Sequence, residues 1–147
     1  MTLTIPHALF SQLREHGETT YPLECCGVLV GEFDATGSKA VDQVVPCQNT
    51  HTASPANRYQ IDPVELVRIQ RDAMLSGRDI VGFYHSHPDH PARWSATDLA
   101  EAHWVGCSYV IASIENGHAV FTNSFQLLGP EENKHFEDEQ LHVIERD

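Results

Sequence analysis

Lysine is almost missing from this chain. Lys39 and Lys134 stand alone among nine basic residues, set against 21 acidic ones. The resulting formal net charge of −12 argues against a nucleic-acid partner, because a phosphate backbone requires a basic footprint. It fits an ordinary acidic surface, or one suited to a salty cell interior where screening relieves self-repulsion. Long apolar runs are absent too. Nothing approaches the ~20 residues of a membrane span, so no membrane partner is expected. The opening Met1–His7 has neither the basic nor the apolar region of a signal peptide, and the expectation is a cytoplasmic protein. Cysteine is confined to Cys25, Cys26, Cys47 and Cys107, without any C-x-x-C spacing. That excludes a cysteine-based zinc ribbon and leaves small, buried, reduced thiols as the expectation. No internal repeat is visible, and 147 residues suit one domain spanning 1–147 with a sizeable core.

What is present reads as alternating helices and strands. Ile5, Leu9 and Leu13 recur at helical spacing, with Thr4 and Pro6 near the start and Gly17 at the stop; a linker, 18–23, follows. Residues 25–33 read as a buried strand, 34–37 as a turn, and 40–45 as its antiparallel partner. The polar segment 47–57 reads as a loop and 58–61 as a short strand. Asp62-Pro63-Val64-Glu65 is a strong helix start, with Leu66, Ile69 and Ala73 as its buried stripe and Gly77 as its end. Residues 79–87 form the central strand, apolar on both faces as expected where helices cover both sides of a sheet. A third helix is expected from Ser95 to about Trp104. Two strands, 107–114 and 118–125, are joined by Asn116-Gly117, a strong hairpin signal. The acidic stretch 131–140 reads as loop or loose helix, and 141–145 as a last edge strand.

Chemistry concentrates between His85 and Asp98. His85 and His87 lie two apart on a strand, so both project from one face while Ser86 points away. Pro88 cannot continue a ladder and favours a turn, from which Asp98 can return as a third ligand. Two neutral imidazoles and one carboxylate suit zinc, and three protein ligands leave a position open for water. Metal-assisted hydrolysis also needs a base and an oxyanion donor. Glu24, on a neighbouring strand, is the candidate general acid/base. Ser95, one helical turn before Asp98, is the candidate donor. Each fragment alone has a plainer explanation: strand histidines are often merely hydrogen-bonded, and Ser95-Ala-Thr-Asp98 is a good helix start in its own right. His51, His90, His135 and His142 read as solvated, and Trp94 as packing.

Glu24, then His85-Ser-His87, seven intervening residues and Ser95-x-x-Asp98 together resemble the JAMM (MPN+) zinc metalloprotease signature. The Glu24-Cys-Cys-Gly-Val-Leu-Val-Gly31 opening and the Asn57-Arg-Tyr-x-Ile-Asp-Pro63 segment resemble its single-domain prokaryotic members, across residues 3 to 145. The resemblance implies an α/β fold of the cytidine-deaminase-like kind: α/β/α layers with a mixed central β-sheet flanked by about three helices. It implies one zinc per chain on His85, His87 and Asp98, with Glu24 and Ser95 as catalytic residues. It further implies hydrolysis of an amide or isopeptide bond after the Gly-Gly C-terminus of a ubiquitin-like or sulfur-carrier protein. An extended glycine-rich tail suits a groove beside a sheet edge, with 88–94 and 47–57 as its candidate walls and the former ordered by substrate. A nucleoside deaminase would need H-x-E and P-C-x-x-C, and neither occurs. The competing reading from another class is a non-catalytic zinc-containing docking module for ubiquitin-like partners. The oligomeric state is not legible from the sequence.

Overall fold

The computed structural model describes residues 1–145. Among them seven strands and three helices follow in the order β1 (Thr2–Pro6), α1 (His7–Thr20), β2 (Cys26–Phe33), β3 (Lys39–Cys47), α2 (Pro63–Leu75), β4 (Asp79–Pro88), α3 (Ala96–Glu101), β5 (Ser108–Glu115), β6 (His118–Leu128) and β7 (His135–Ile144). The sheet order is β1-β3-β2-β4-β5-β6-β7, and β1 pairs with both β3 and β7, closing the sheet on itself. The β4–β5 pair and both pairs of β1 are parallel, and the others antiparallel. The mixed α/β class with three helices is as expected. Closure of the sheet is additional and depends on β1.

Strands β4 and β5 are buried nearly end to end because helices cover both faces. On one side Leu13 of α1 joins Leu3, Ile5, Leu29, Val110 and Ile114 in a buried cluster. On the other, Ile69 and Ala73 of α2, with Leu99 of α3 packed against them, join Val28, Val30, Phe83 and Tyr109. The α2 start is as its residues dictate: Asp62 accepts from the Val64 backbone N–H, Pro63 occupies the first turn, and Glu65 follows. Asn116 and Gly117 both adopt positive φ, 50° and 85°, as a type I′ hairpin turn requires.

Several expectations are corrected. Thr4, Ile5 and Pro6 belong to β1, not to a helix start, because pairing with two distant strands outweighs local helical spacing. Gly17 lies inside α1, which runs on to Thr20 through the expected linker. A Cβ there would sit 2.8 Å from Ile114 Cδ1, so this glycine permits close approach of helix to sheet. Residues 58–61 form no strand. Helix α3 ends at Glu101, well before Trp104. The acidic stretch contains a 3-10 turn, Glu131–Asn133, and then most of β7, which is an interior strand between β6 and β1. Its Glu139 points inward, pairs with Lys39 at 2.8 Å, and accepts from the Ser108 and Ser124 hydroxyls. A buried carboxylate is tolerable only when so satisfied.

Candidate metal centre

The C-terminal end of β4 and the first turn of α3 meet beside the start of β2. Period-two alternation puts His85 and His87 on one face, with their Nε2 atoms 3.1 Å apart. Asp98 approaches both, Oδ1 lying 3.3 Å from His85 Nε2 and Oδ2 lying 3.1 Å from His87 Nε2. All three candidate ligand atoms fall within 4.8 Å of one another. Ser86 faces away as expected, and its Oγ accepts from the Cys25 N–H at 2.8 Å. That bond fastens β4 to β2 next to Glu24.

The donor chemistry fits a divalent cation. His87 Nδ1 donates to the Pro91 carbonyl at 2.9 Å, which leaves Nε2 with its lone pair toward the cluster. The His85 ring stacks on Tyr59 with centroids 4.5 Å apart, and burial pulls its pKa down, keeping it neutral. For Asp98, burial pushes upward, but the hydrogen bonds of His85 and His87 and the Ser95 N–H outweigh it and hold the carboxyl well below the usual range. For His87, burial pulls downward, and the hydrogen bonds to Asp98 and Pro91 with the charges of Asp98 and Glu24 overcome it. The cluster thus attracts positive charge through an ionised carboxylate.

Glu24 is 3% exposed, and its Oε1 is buried without a hydrogen-bond partner. Burial raises its pKa from the ordinary 4.5 to about 8; His87 opposes that shift, whereas Asp98 and Glu101 add to it. Its backbone is clamped by the long polar segment, with Glu24 N–H donating to Pro55 O at 2.9 Å and Asn49 Nδ2 donating to Glu24 O at 3.2 Å. Ser95 caps α3: its Oγ accepts from Asp98 N–H at 3.0 Å and its N–H donates to Asp98 Oδ2 at 2.9 Å. This capping box orients Asp98, and it leaves the Ser95 hydroxyl proton uncommitted.

A cleft of about 690 Å³ opens onto these residues, lined by Glu24, His87 and Ser95 together with Asn57, Trp94 and Phe125, among others. Both expected walls contribute, residues 88–94 heavily and the polar segment through Asn57. The loop after β4 is held by the protein itself. Asp89, at φ 58°, accepts from Tyr21 O–H at 2.6 Å and Asn116 N–H at 3.0 Å. Ser113 Oγ donates to His90 O at 2.6 Å, and Asn123 Nδ2 donates to Ala92 O at 2.9 Å. These two bonds bracket the Pro91 carbonyl that orients His87. Neither Ser113 nor Asn123 carries any sequence signal, since each is one polar residue in a strand. Tyr59 did have one, in the Asn57–Pro63 segment.

His85, His87 and Asp98 could together hold a metal ion, and comparison with known proteins gives the family. The family described as prokaryotic homologs of the JAB domain matches residues 6–127, and the chain belongs to it. A desampylase of Haloferax volcanii is 41% identical over 106 residues, 72% of this chain and 73% of that protein. A probable TtuB-protein conjugate cleaving protease of Thermus thermophilus is 32% identical over 104 residues, 71% of this chain and 66% of that protein. Two solution structures share the fold. One, from Desulfitobacterium hafniense, has a TM-score of 0.79 at 29% identity and covers 97% of this chain and 93% of its own. The other, from Salinibacter ruber, has a TM-score of 0.69 at 35% identity and covers 94% and 90%. The JAMM/MPN resemblance read from the residues is borne out. No helix among the described residues is long and apolar enough to cross a membrane.

Proposed function

We propose that residues 1–147 act as one zinc metallopeptidase domain that hydrolyses the amide or isopeptide bond after the Gly-Gly C-terminus of a ubiquitin-like or sulfur-carrier protein. The observation that carries this reading is the convergence of His85, His87 and Asp98 beside a buried, unpartnered Glu24 carboxyl. The Haloferax desampylase and the Thermus conjugate-cleaving protease support a conjugate as substrate. Free, buried cysteines support a reducing, cytoplasmic setting.

His85, His87 and Asp98 would hold one zinc ion, which would supply a Lewis acid and lower the pKa of a water. Glu24 takes the proton from the attacking water. Burial favours its protonated form, so a proton taken from the water is held until the amine departs. As the C–N bond breaks, the same carboxyl delivers that proton to the departing amine. The Ser95 hydroxyl, oriented by its acceptor role at the Asp98 N–H, donates to the carbonyl oxygen as negative charge develops there. Tyr59 and the Pro91 carbonyl hold the two imidazoles in place throughout.

The test is incubation of a carrier ending Gly-Gly-X, or Gly-Gly joined to a lysine side chain, followed by intact mass. Cleavage after Gly-Gly, lost with a zinc chelator and restored by zinc, is the expected result. A zinc-loaded protein that leaves every such carrier intact would favour the docking-module reading instead.

A further inference from the structure

In a chain with 21 acidic and nine basic residues, a surface cation finds a carboxylate almost by default. Eight of the nine Lys and Arg lie among the described residues. Six are paired: Lys39 with Glu139, Arg58 with Glu101, Arg68 with Glu65, Arg71 with Asp72, Arg78 with Asp42 and Glu32, and Lys134 with Glu131. Arg14 instead donates to the Ala119 carbonyl and lies over the Phe10 ring. Arg93 alone has neither a carboxylate nor a carbonyl partner for its guanidinium among the described residues.

Its position gives that isolation a meaning. Arg93 is the single Lys or Arg lining the 690 Å³ cleft, two residues before Ser95. The carboxyl groups lining the same cleft are those of Glu24 and Asp138. Its backbone is fixed even though its tip is solvated. Arg93 N–H donates to Pro91 O at 2.9 Å, and the preceding Ala92 is buried with its carbonyl held by Asn123. Apart from the metal ion that His85, His87 and Asp98 would hold, Arg93 is the one Lys or Arg side chain in the cleft, so it marks where a substrate carboxylate can be held away from the reacting atoms. A planar guanidinium suits that task, since its fork accepts a carboxylate through two parallel hydrogen bonds.

We propose that Arg93 is the anchor for a carboxylate that the substrate carries close to its scissile bond. This rests on the hydrolase reading above and narrows its substrate. Two sources share the chemistry: the α-carboxylate of a residue released from a Gly-Gly-X terminus, and an acidic side chain flanking a Gly-Gly-lysine isopeptide.

The experiment compares the zinc-loaded wild type, Arg93→Gln and Arg93→Lys on four substrates. These are Gly-Gly-X with a free or an amidated end, and a Gly-Gly-lysine isopeptide with or without neighbouring acidic residues. The wild type should favour a carboxylate-bearing member of one pair by about tenfold to a hundredfold in kcat/KM, as expected for a charged hydrogen-bonded pair. The pair showing the preference identifies the source. Arg93→Gln should abolish the preference with zinc content and Tm unchanged, and Arg93→Lys should keep part of it. Equal kcat/KM for wild type and Arg93→Gln on all four would overturn the proposal. Direct binding of the same peptides to the zinc-loaded protein, read by titration calorimetry, separates the two levels. If the wild type binds the carboxylate-bearing peptides more tightly, through Arg93, yet cleaves none, the reaction falls and the anchor stands. If neither binding nor cleavage depends on Arg93, the anchor falls whatever the reaction.

Discussion

Replacing Glu24 by Gln separates the electrostatics of its burial from its shape. In the metal-free protein the folded state keeps Glu24 protonated up to about pH 8, whereas an unfolded chain releases that proton near 4.5. Between those values the folded state binds more protons than the unfolded one. Stability therefore falls as pH rises through this window and levels off above the folded pKa. The gap corresponds to on the order of 5 kcal/mol at full ionisation, and with 3% of the residue exposed solvent relieves little of it. Glutamine fills the same space without titrating. Urea denaturation of both proteins in chelator, at intervals from pH 5 to 9, reads the effect as the difference between the curves, to which His87 and Asp98, which feel the Glu24 charge, add a smaller share. The variant should gain several kcal/mol on the wild type across that range. A difference that stays constant within about 0.5 kcal/mol, the ordinary scatter of a neutral substitution, would refute the argument. With zinc restored, the variant should retain the ion while kcat drops by about 10²–10⁴-fold, the usual worth of a general base.

Ser95→Ala should keep zinc but lower kcat by about 10²–10³-fold with little change in KM, and it should cost about 1 kcal/mol of stability through the lost cap; Ser95→Thr, which keeps both hydroxyl roles, should recover most of each in the same assays. Ser113→Ala and Asn123→Ala release the carbonyls on either side of Pro91, so each should weaken zinc binding about tenfold or more, measured by chelator competition, and an unchanged affinity would show that the bracket is idle. Lys39→Met leaves Glu139 buried without its cation and should destabilise the fold by about 3–5 kcal/mol in a denaturant titration, without touching the metal site.

The site was legible where its logic is local. The alternation that aims His85 and His87 at one point, and the capping box that turns Asp98 toward them, are each written within a few residues. Glu24 was legible as a type of residue. What suits it to the proposed role of base is its burial just before β2, whose Cys26 is in register with His85, and a clamp from Asn49 and Pro55. The supporting residues were hidden because their partners are backbone carbonyls of a loop far away in sequence, as with Ser113 and Asn123. The same reason hid β1 and β7. Ile5 shares a helical spacing with Leu9 and Leu13, and only pairing to Val143 shows it to be a strand residue. Glu139 sits in an acidic run that reads as solvated, until Lys39, 100 residues away, neutralises it inside the sheet.

The central claim is zinc-dependent cleavage after Gly-Gly, and intact-mass analysis of carrier proteins bearing that terminus tests it most directly. The account predicts a product shortened to Gly-Gly, its formation abolished by chelation, restored by zinc, and absent with Glu24→Gln. Cleavage that survives removal of zinc, or that proceeds unchanged with Glu24→Gln, would contradict it.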